Sequence, residues 1–251
     1  MDLKLEGRTA LVTGASSQGL GRAIALGLAR EGVRVAITAR RRALLDAVAA
    51  EVRSVGAAEP VVLDYDLYAA ETPSLLAREA CAQLGRVDIL INAAGGSRPI
   101  TFDAPAGRWE EAMLLNFFRL RELTHAIVPQ MIEHRWGRIV NLTGTSEPYN
   151  INASNAAKAA IHAWSKGLSR QIAPHGLTIN CIQPGRITSE QMLRMYDTEE
   201  KRRTFTEEVP MKRFGEPDEL ADLAIFFCSP RASYITGTVI PVDGGLSRFA
   251  F

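Results

Sequence analysis

The chain has no surplus of either charge: 29 Lys and Arg stand against 28 Asp and Glu, a formal net charge of +1. That balance excludes the single-sign surface of a nucleic-acid binder, and the one basic block, Arg40 to Arg42, is too short to supply it. No apolar run reaches the roughly 20 residues of a membrane-spanning helix, so no membrane partner is expected. Cysteine is scarce. Cys81, Cys181 and Cys228 are odd in number and far apart, which leaves no disulfide framework and no ligand spacing for a metal. They read as reduced, small apolar residues. The opening stretch MDLKLEGRTALVTG carries charges where a signal peptide needs apolar residues, and a cytoplasmic location is the expectation. Repeats, low-complexity tracts and linkers are also missing. With 47% hydrophobic residues over 251 positions, one domain spanning 1–251 can bury a full core.

What is present is a regular alternation. Short β-branched apolar runs lie at 9–14, 33–39, 60–66, 88–95, 138–144, 178–185 and 237–245, separated by longer helical patterns such as 21–32 and 42–56. This spacing predicts βαβ units: a single-domain α/β fold with a doubly wound parallel sheet of about seven strands and helices on both faces. Strands covered on both sides read as near-continuous apolar runs, as these do. The charged segment 187–217 predicts a partly helical insertion that covers the substrate.

The first strand runs into a turn with Gly14, Gly19 and Gly21. Glycines at a strand-to-helix junction let the helix N-terminus and bare backbone face a pyrophosphate, although a tight turn alone also calls for glycine. Another absence follows at the end of the second strand. A site for NAD places a carboxylate there to hold the ribose 2′-hydroxyl, whereas this chain has Ala39 followed by Arg40, Arg41 and Arg42. Guanidinium groups without the acid suit a 2′-phosphate and favour NADP(H) over NAD(H). The alternative is that the arginines simply solvate the next helix.

On these motifs the chain resembles the short-chain dehydrogenase/reductase family over nearly its whole length, especially its 3-oxoacyl-carrier-protein-reductase-like members. TGASSQGLG resembles the family's TGxxxGxG with Gln18 inserted. The resemblance implies cofactor contacts from Gly14, Ser16, Ser17, Gly19, Leu20 and Gly21. It implies adenine contacts from Asp66 and Leu67, and further contacts from Asn92, Ala93 and Gly95 in NAAG. In PGRITS it implies that Pro184, Gly185, Ile187 and Ser189 hold the nicotinamide end. It also implies a Rossmann-type fold, a small-molecule or acyl-type carbonyl substrate, and a homotetramer or homodimer.

The family's catalytic pattern breaks in two places. Asn116 matches its asparagine, and Lys158 its lysine, which binds the nicotinamide ribose. The tyrosine four residues before the lysine is replaced by Ser154, and the serine ending the fifth strand aligns with Gly144. A phenol beside an ammonium can be brought near operating pH, but an aliphatic hydroxyl is a far weaker acid and is shorter. A water between Ser154 and Lys158 or the loop phenol of Tyr149 is the candidate replacement for the acid, and Thr145 or Ser146 in the shortened loop could fill in for the missing serine. Glu147 is ionised at neutral pH and donates nothing. His162, four residues beyond Lys158, either tunes it or lies at a subunit contact. The expected function is hydride transfer between NADP(H) and a carbonyl or secondary alcohol with an atypical acid. The alternatives are an NADP(H)-binding regulator or partner subunit without turnover, and non-redox chemistry in the same pocket.

Overall fold

Strand β1 (Thr9–Thr13) is apolar on both faces because both faces are covered. Ala10 and Val12 enter one hydrophobic cluster and Leu11 enters another on the opposite side. The split recurs in β2 (Arg34–Ala39), where Val35 and Ile37 join the first cluster and Ala36 the second. A period of two with no polar face marks a strand between two helix layers. The computed structural model describes residues 1–16, 18–97 and 99–249. Within them β3 (Val61–Asp64), β4 (Ile89–Asn92), β5 (Gly137–Leu142), β6 (Leu177–Pro184) and β7 (Val239–Val242) complete one seven-stranded sheet. Its order is β3-β2-β1-β4-β5-β6-β7, and every neighbouring pair is parallel.

The helices are α1 (Leu20–Arg30), α2 (Arg42–Ser54), α3 (Thr72–Leu84), α4 (Ala106–Met113), α5 (Arg119–Glu133), α6 (Ala153–Ile172), α7 (Glu190–Met195), α8 (Glu199–Glu207) and α9 (Pro217–Cys228). Ile24 and Leu28 of α1, Leu45 of α2 and Phe227 of α9 fill the first cluster. Leu76 of α3, Leu123 and Ile127 of α5 and Ile172 at the end of α6 fill the second. The doubly wound single-domain sheet expected from the sequence is therefore the fold observed.

Two strands fall furthest short of the ends of their apolar runs. The run at 88–95 stops pairing at Asn92 because the Ala93 and Ala94 amides both donate to Thr13 Oγ1 at 3.0 Å. The run at 237–245 stops at Val242, and Gly244 and Gly245 turn the chain at φ +65° and +85°. After β3 the chain crosses the sheet and re-enters at β4, beside β1. That reversal opens a crevice at the carboxyl ends of the strands, the usual ligand position in such sheets. A π-helical turn, Leu114–Phe118, joins α4 to α5.

Candidate active site

Gly14 ends β1 at φ +69°, and a Cβ there would lie 2.8 Å from the Ala94 amide nitrogen. At Gly21 a Cβ would come within 2.5 Å of the Gly14 carbonyl oxygen. The turn thus packs backbone on backbone more closely than any side chain permits. Helix α1 starts at Gly19 with no side-chain cap and no acid in its first turn, so its first amides stay available to an anion. These features open on a cleft of about 580 Å³ lined on this side by Gly14, Ser16, Gly19, Leu20 and Gly21. Its far wall includes Arg40, Asp66 and Leu67, and its other end Ala93, Gly95, Lys158, Pro184 and Ser189. An uncapped helix and a turn whose Gly14 and Gly21 admit no side chain fit a dinucleotide pyrophosphate.

The three arginines separate. Arg42 pairs with Asp46 at 2.9 Å and with Asp64 at 3.4 Å. Arg41 forms a two-bond pair with Glu190. Arg40 lines the cleft without an ion pair among the described residues, its guanidinium 5.7 Å from the Tyr68 ring centre.

Some sequence-derived residues lie elsewhere. Ser17 falls outside the described residues. Asn92 is buried behind the cleft, donating to Asn141 Oδ1 at 2.8 Å and to Thr124 Oγ1 at 3.1 Å, because the adjacent β5 strand supplies an amide partner. Ile187 is 6% exposed and packs beside Gly215, so its side chain is core. Ser189 caps α7, accepting from the Met192 amide at 3.2 Å, and still lines the cleft. Gly185 borders a second cleft, pressed so closely on Asp243 that a Cβ would lie 2.4 Å from the Asp243 Cα.

At the opposite end, Lys158 Nζ donates to the Thr143 carbonyl at 3.2 Å. Burial pushes the Lys158 amine down from 10.5 to about 8. Asn116, set in the π-helical turn, donates to the Ala112 carbonyl at 2.9 Å and accepts from the Gly96 amide at 3.1 Å. It also reaches Ser154 Oγ at 3.4 Å. Ser154 is 1% exposed and lines neither cleft. Asn152 explains this, because it caps α6 through the Ser154 amide at 2.9 Å and also donates to Ser97 Oγ at 2.8 Å. The loop after β4 is thereby drawn over the start of α6.

The candidate replacement groups are dispersed. Tyr149 is 64% exposed on the rim of the second cleft, facing Arg248. Glu147 accepts from the Arg248 and Phe249 amides at 2.9 to 3.0 Å. Ser146 Oγ donates to Gln183 Oε1 at 2.7 Å, and Thr145 Oγ1 accepts from the Glu147 amide. His162 Nε2 lies 2.8 Å from Thr143 Oγ1, on the same residue whose carbonyl holds Lys158. Sequence reasoning missed Thr143, whose two oxygens serve both neighbours. It also missed Asn155, whose Oδ1 sits 3.4 Å from where a Cβ at Gly144 would be. Neither belongs to a motif, and only the fold brings them in. The second cleft, about 260 Å³, lies between this loop, Arg186, Phe205 and Leu246.

A family model described as enoyl-(acyl carrier protein) reductase matches residues 14–247. The chain belongs to the short-chain dehydrogenase/reductase family. It is 35% identical to the 3-oxoacyl-[acyl-carrier-protein] reductase of Aquifex aeolicus, covering 98% of this chain and 100% of that protein. Two solved structures superpose with a TM-score of 0.92 at 31% identity. One is YwfH, an NADPH-dependent reductase involved in bacilysin biosynthesis, with 96% of this chain and 99% of that chain covered. The other is a 7α-hydroxysteroid dehydrogenase complexed with NADH and 7-oxo glycochenodeoxycholic acid, with 97% and 96% covered. The present chain is accordingly an NAD(P)-dependent enzyme of the short-chain dehydrogenase/reductase type.

Proposed function

We propose that the protein transfers a hydride between NADP(H) and a carbonyl or secondary-alcohol substrate, with Ser154 where the family's phenol stands and Lys158 holding the proton. One observation carries this reading: one cleft runs from Arg40, which has no ion pair among the described residues, past the uncapped start of α1 to a buried amine, Lys158. Gly14, Gly19 and Gly21 would hold the pyrophosphate, Asp66 and Leu67 the adenosine side, Arg40 the 2′-phosphate, and Pro184 and Ser189 the nicotinamide end. The bound cofactor supplies or accepts the hydride.

The chain's own residues do the rest. Thr143 fixes the Lys158 amine through its carbonyl. With its affinity lowered by burial, that amine still carries a proton at neutral pH and releases it more readily than an exposed lysine. In reduction the ammonium gives that proton to the substrate oxygen as the carbonyl carbon receives hydride. In oxidation the free amine takes it back. Asn116 braces the loop at Gly96 and keeps Ser154 oriented. The segment 187–217, with α7 and α8, closes the substrate side, and Phe205 of α8 borders the second cleft. The helices α5 and α6 pair across a two-fold axis to form a homodimer or homotetramer. A cytoplasmic location agrees with three free cysteines and with no helix among the described residues long and apolar enough to cross a membrane.

The buried position of Ser154 favours one second reading, a nucleotide-binding protein without turnover. Calorimetric titration with NADPH and NADH, followed by a panel of carbonyls and alcohols read in single turnovers, separates the two. Cofactor binding without hydride transfer to any member supports the second.

A further inference from the structure

We infer that Arg186 is the anchor for a carboxylate carried by the substrate in the second cleft. This rests on the oxidoreductase reading of the same site and narrows its substrate class to carbonyl or hydroxy acids. Arg186 lines the smaller cleft, yet its side chain is only 9% exposed. Its guanidinium lies over the Phe205 ring at 3.6 Å, and Phe205 is itself stacked on Tyr196 at 3.9 Å. The plane of the donor fork is therefore fixed by packing before any ligand arrives.

The fork is half filled. Nη2 is taken by Glu208, while Nη1 is buried and has no hydrogen-bond partner among the described residues. Leaving a buried charged donor unsatisfied is costly, and native interiors rarely do it without a reason. Arg119 and Arg121 also hold an unpartnered buried nitrogen, but neither lines a cleft. Arg186 is the one of the three whose side chain lines a cleft.

The identity of the missing acceptor follows from its neighbours. Glu208 is 55% exposed, so it can return to water when displaced. A substrate carboxylate then engages both Nη1 and Nη2 in the planar two-bond geometry that guanidinium favours, and the charge pairing is preserved. A neutral carbonyl or hydroxyl can satisfy Nη1 alone. Two acids, Glu147 and Asp243, line the cleft itself, and both are already bound. Glu147 is held by the Arg248 and Phe249 amides, and Asp243 by Ser247 Oγ at 2.6 Å and the Gly245 amide at 2.9 Å. Glu208 thus acts as a placeholder for the substrate's own acid.

The test uses the NADPH-loaded protein and three keto acids of increasing length, 4-oxopentanoate, 5-oxohexanoate and 6-oxoheptanoate, each beside its methyl ester. Binding is read by saturation-transfer NMR and calorimetry, and turnover is read separately. At least one acid should bind about tenfold or more tighter than its ester, as expected for a charge-assisted pair. Arg186→Gln should abolish that preference, weakening the acids about tenfold more than the esters, and Arg186→Lys should restore part of it. Glu208→Gln, at an exposed position, should tighten acid binding and leave the esters alone, which keeps the test decisive even if the Arg186 variants fold poorly. Equal binding of acids and esters, no acid binding at millimolar concentration, or indifference of the acids to Glu208→Gln would overturn the inference. An Arg186-dependent acid preference without any hydride transfer would instead overturn the oxidoreductase reading and leave the anchor standing.

Discussion

Arg41 and Glu190 tie the end of β2 to the start of α7 through two hydrogen bonds of 3.1 and 2.9 Å. Both line the larger cleft. The Glu190 amide adds a 3.0 Å bond to the carbonyl of Gln18, the residue inserted into the glycine turn. The segment after β6 is thereby fastened to the cofactor end of the molecule. Arg41 holds the Glu190 carboxyl below its usual range, and Glu190 in turn occupies one of the arginines that the sequence offered to a 2′-phosphate.

NADPH should bind more tightly than NADH, with Arg40 making the difference. Arg40→Ala is expected to weaken NADPH by about tenfold, the worth of one hydrogen bond to a charged group, and to leave NADH unchanged. Glu190→Gln releases Arg41 and should tighten NADPH without affecting NADH. Calorimetry of both cofactors on the three proteins checks this. Equal affinities in the parent would remove the argument from the arginines.

Lys158 sets a pH signature in the cofactor-free chain. Its amine titrates near 8 when folded and near 10.5 when unfolded. Between those values the unfolded chain binds more protons, so stability rises with pH across that window. Below pH 8 both states carry the proton and the full cost of burying it, about 3 kcal/mol, is present; above 10.5 it has gone. Lys158→Met should therefore raise the urea midpoint at pH 7, and the gap from the parent should close as pH approaches 10.5. In the NADPH-loaded enzyme the same variant should slow carbonyl reduction by about 10²–10⁴-fold. A gap independent of pH would show that the amine is not buried in this way.

The aromatic cluster where the π-helical turn meets α6 bears on assembly. Phe118 is 40% exposed beside Phe117, which meets Trp164 edge-on at 6.3 Å. Light scattering at micromolar concentration should give a dimer or tetramer, and Phe118→Asp should shift it toward smaller species. A monomeric parent would count against pairing through these helices.

How much of this was legible in the sequence depended on how local each requirement was. Gly14 and Gly21 announce themselves because a close backbone approach tolerates nothing larger. The strands do so through unbroken apolar runs, although their ends were overestimated where Thr13 captures the Ala93 and Ala94 amides. Asn116 was found only through the family pattern, since nothing in its spacing betrays the π-helical turn that sets it on Gly96. Thr143 and Arg186 were invisible as site residues. Their roles come from α6 and α8 packing beside them, which no local pattern encodes.

Substitution at Ser154 tests the altered acid directly. Ser154 lies four residues before Lys158 on α6 and within 3.4 Å of Asn116, the neighbours a phenol would need. It is also buried, so a tyrosine must push aside the Ser97–Asn152 contact that roofs it. If the loop yields, Ser154→Tyr places a stronger acid beside the amine, and reduction of a generic ketone should rise by about tenfold or more. Gly144→Ser is a poorer companion than the family pattern suggests, because its Cβ would sit 3.1 Å from Lys158 Cδ and force that side chain to shift. The single variant should therefore outperform the double. Tyr149→Phe is the control: standing exposed on the rim of the second cleft, it should leave native activity within a factor of about two, as surface changes usually do. Loss of native activity in that control would make Tyr149 the working acid. No gain from Ser154→Tyr, in a protein that folds and binds NADPH, would mean that Lys158 already supplies the proton at full effect or that hydride transfer is not the site's chemistry. The Lys158→Met rate decides between those two.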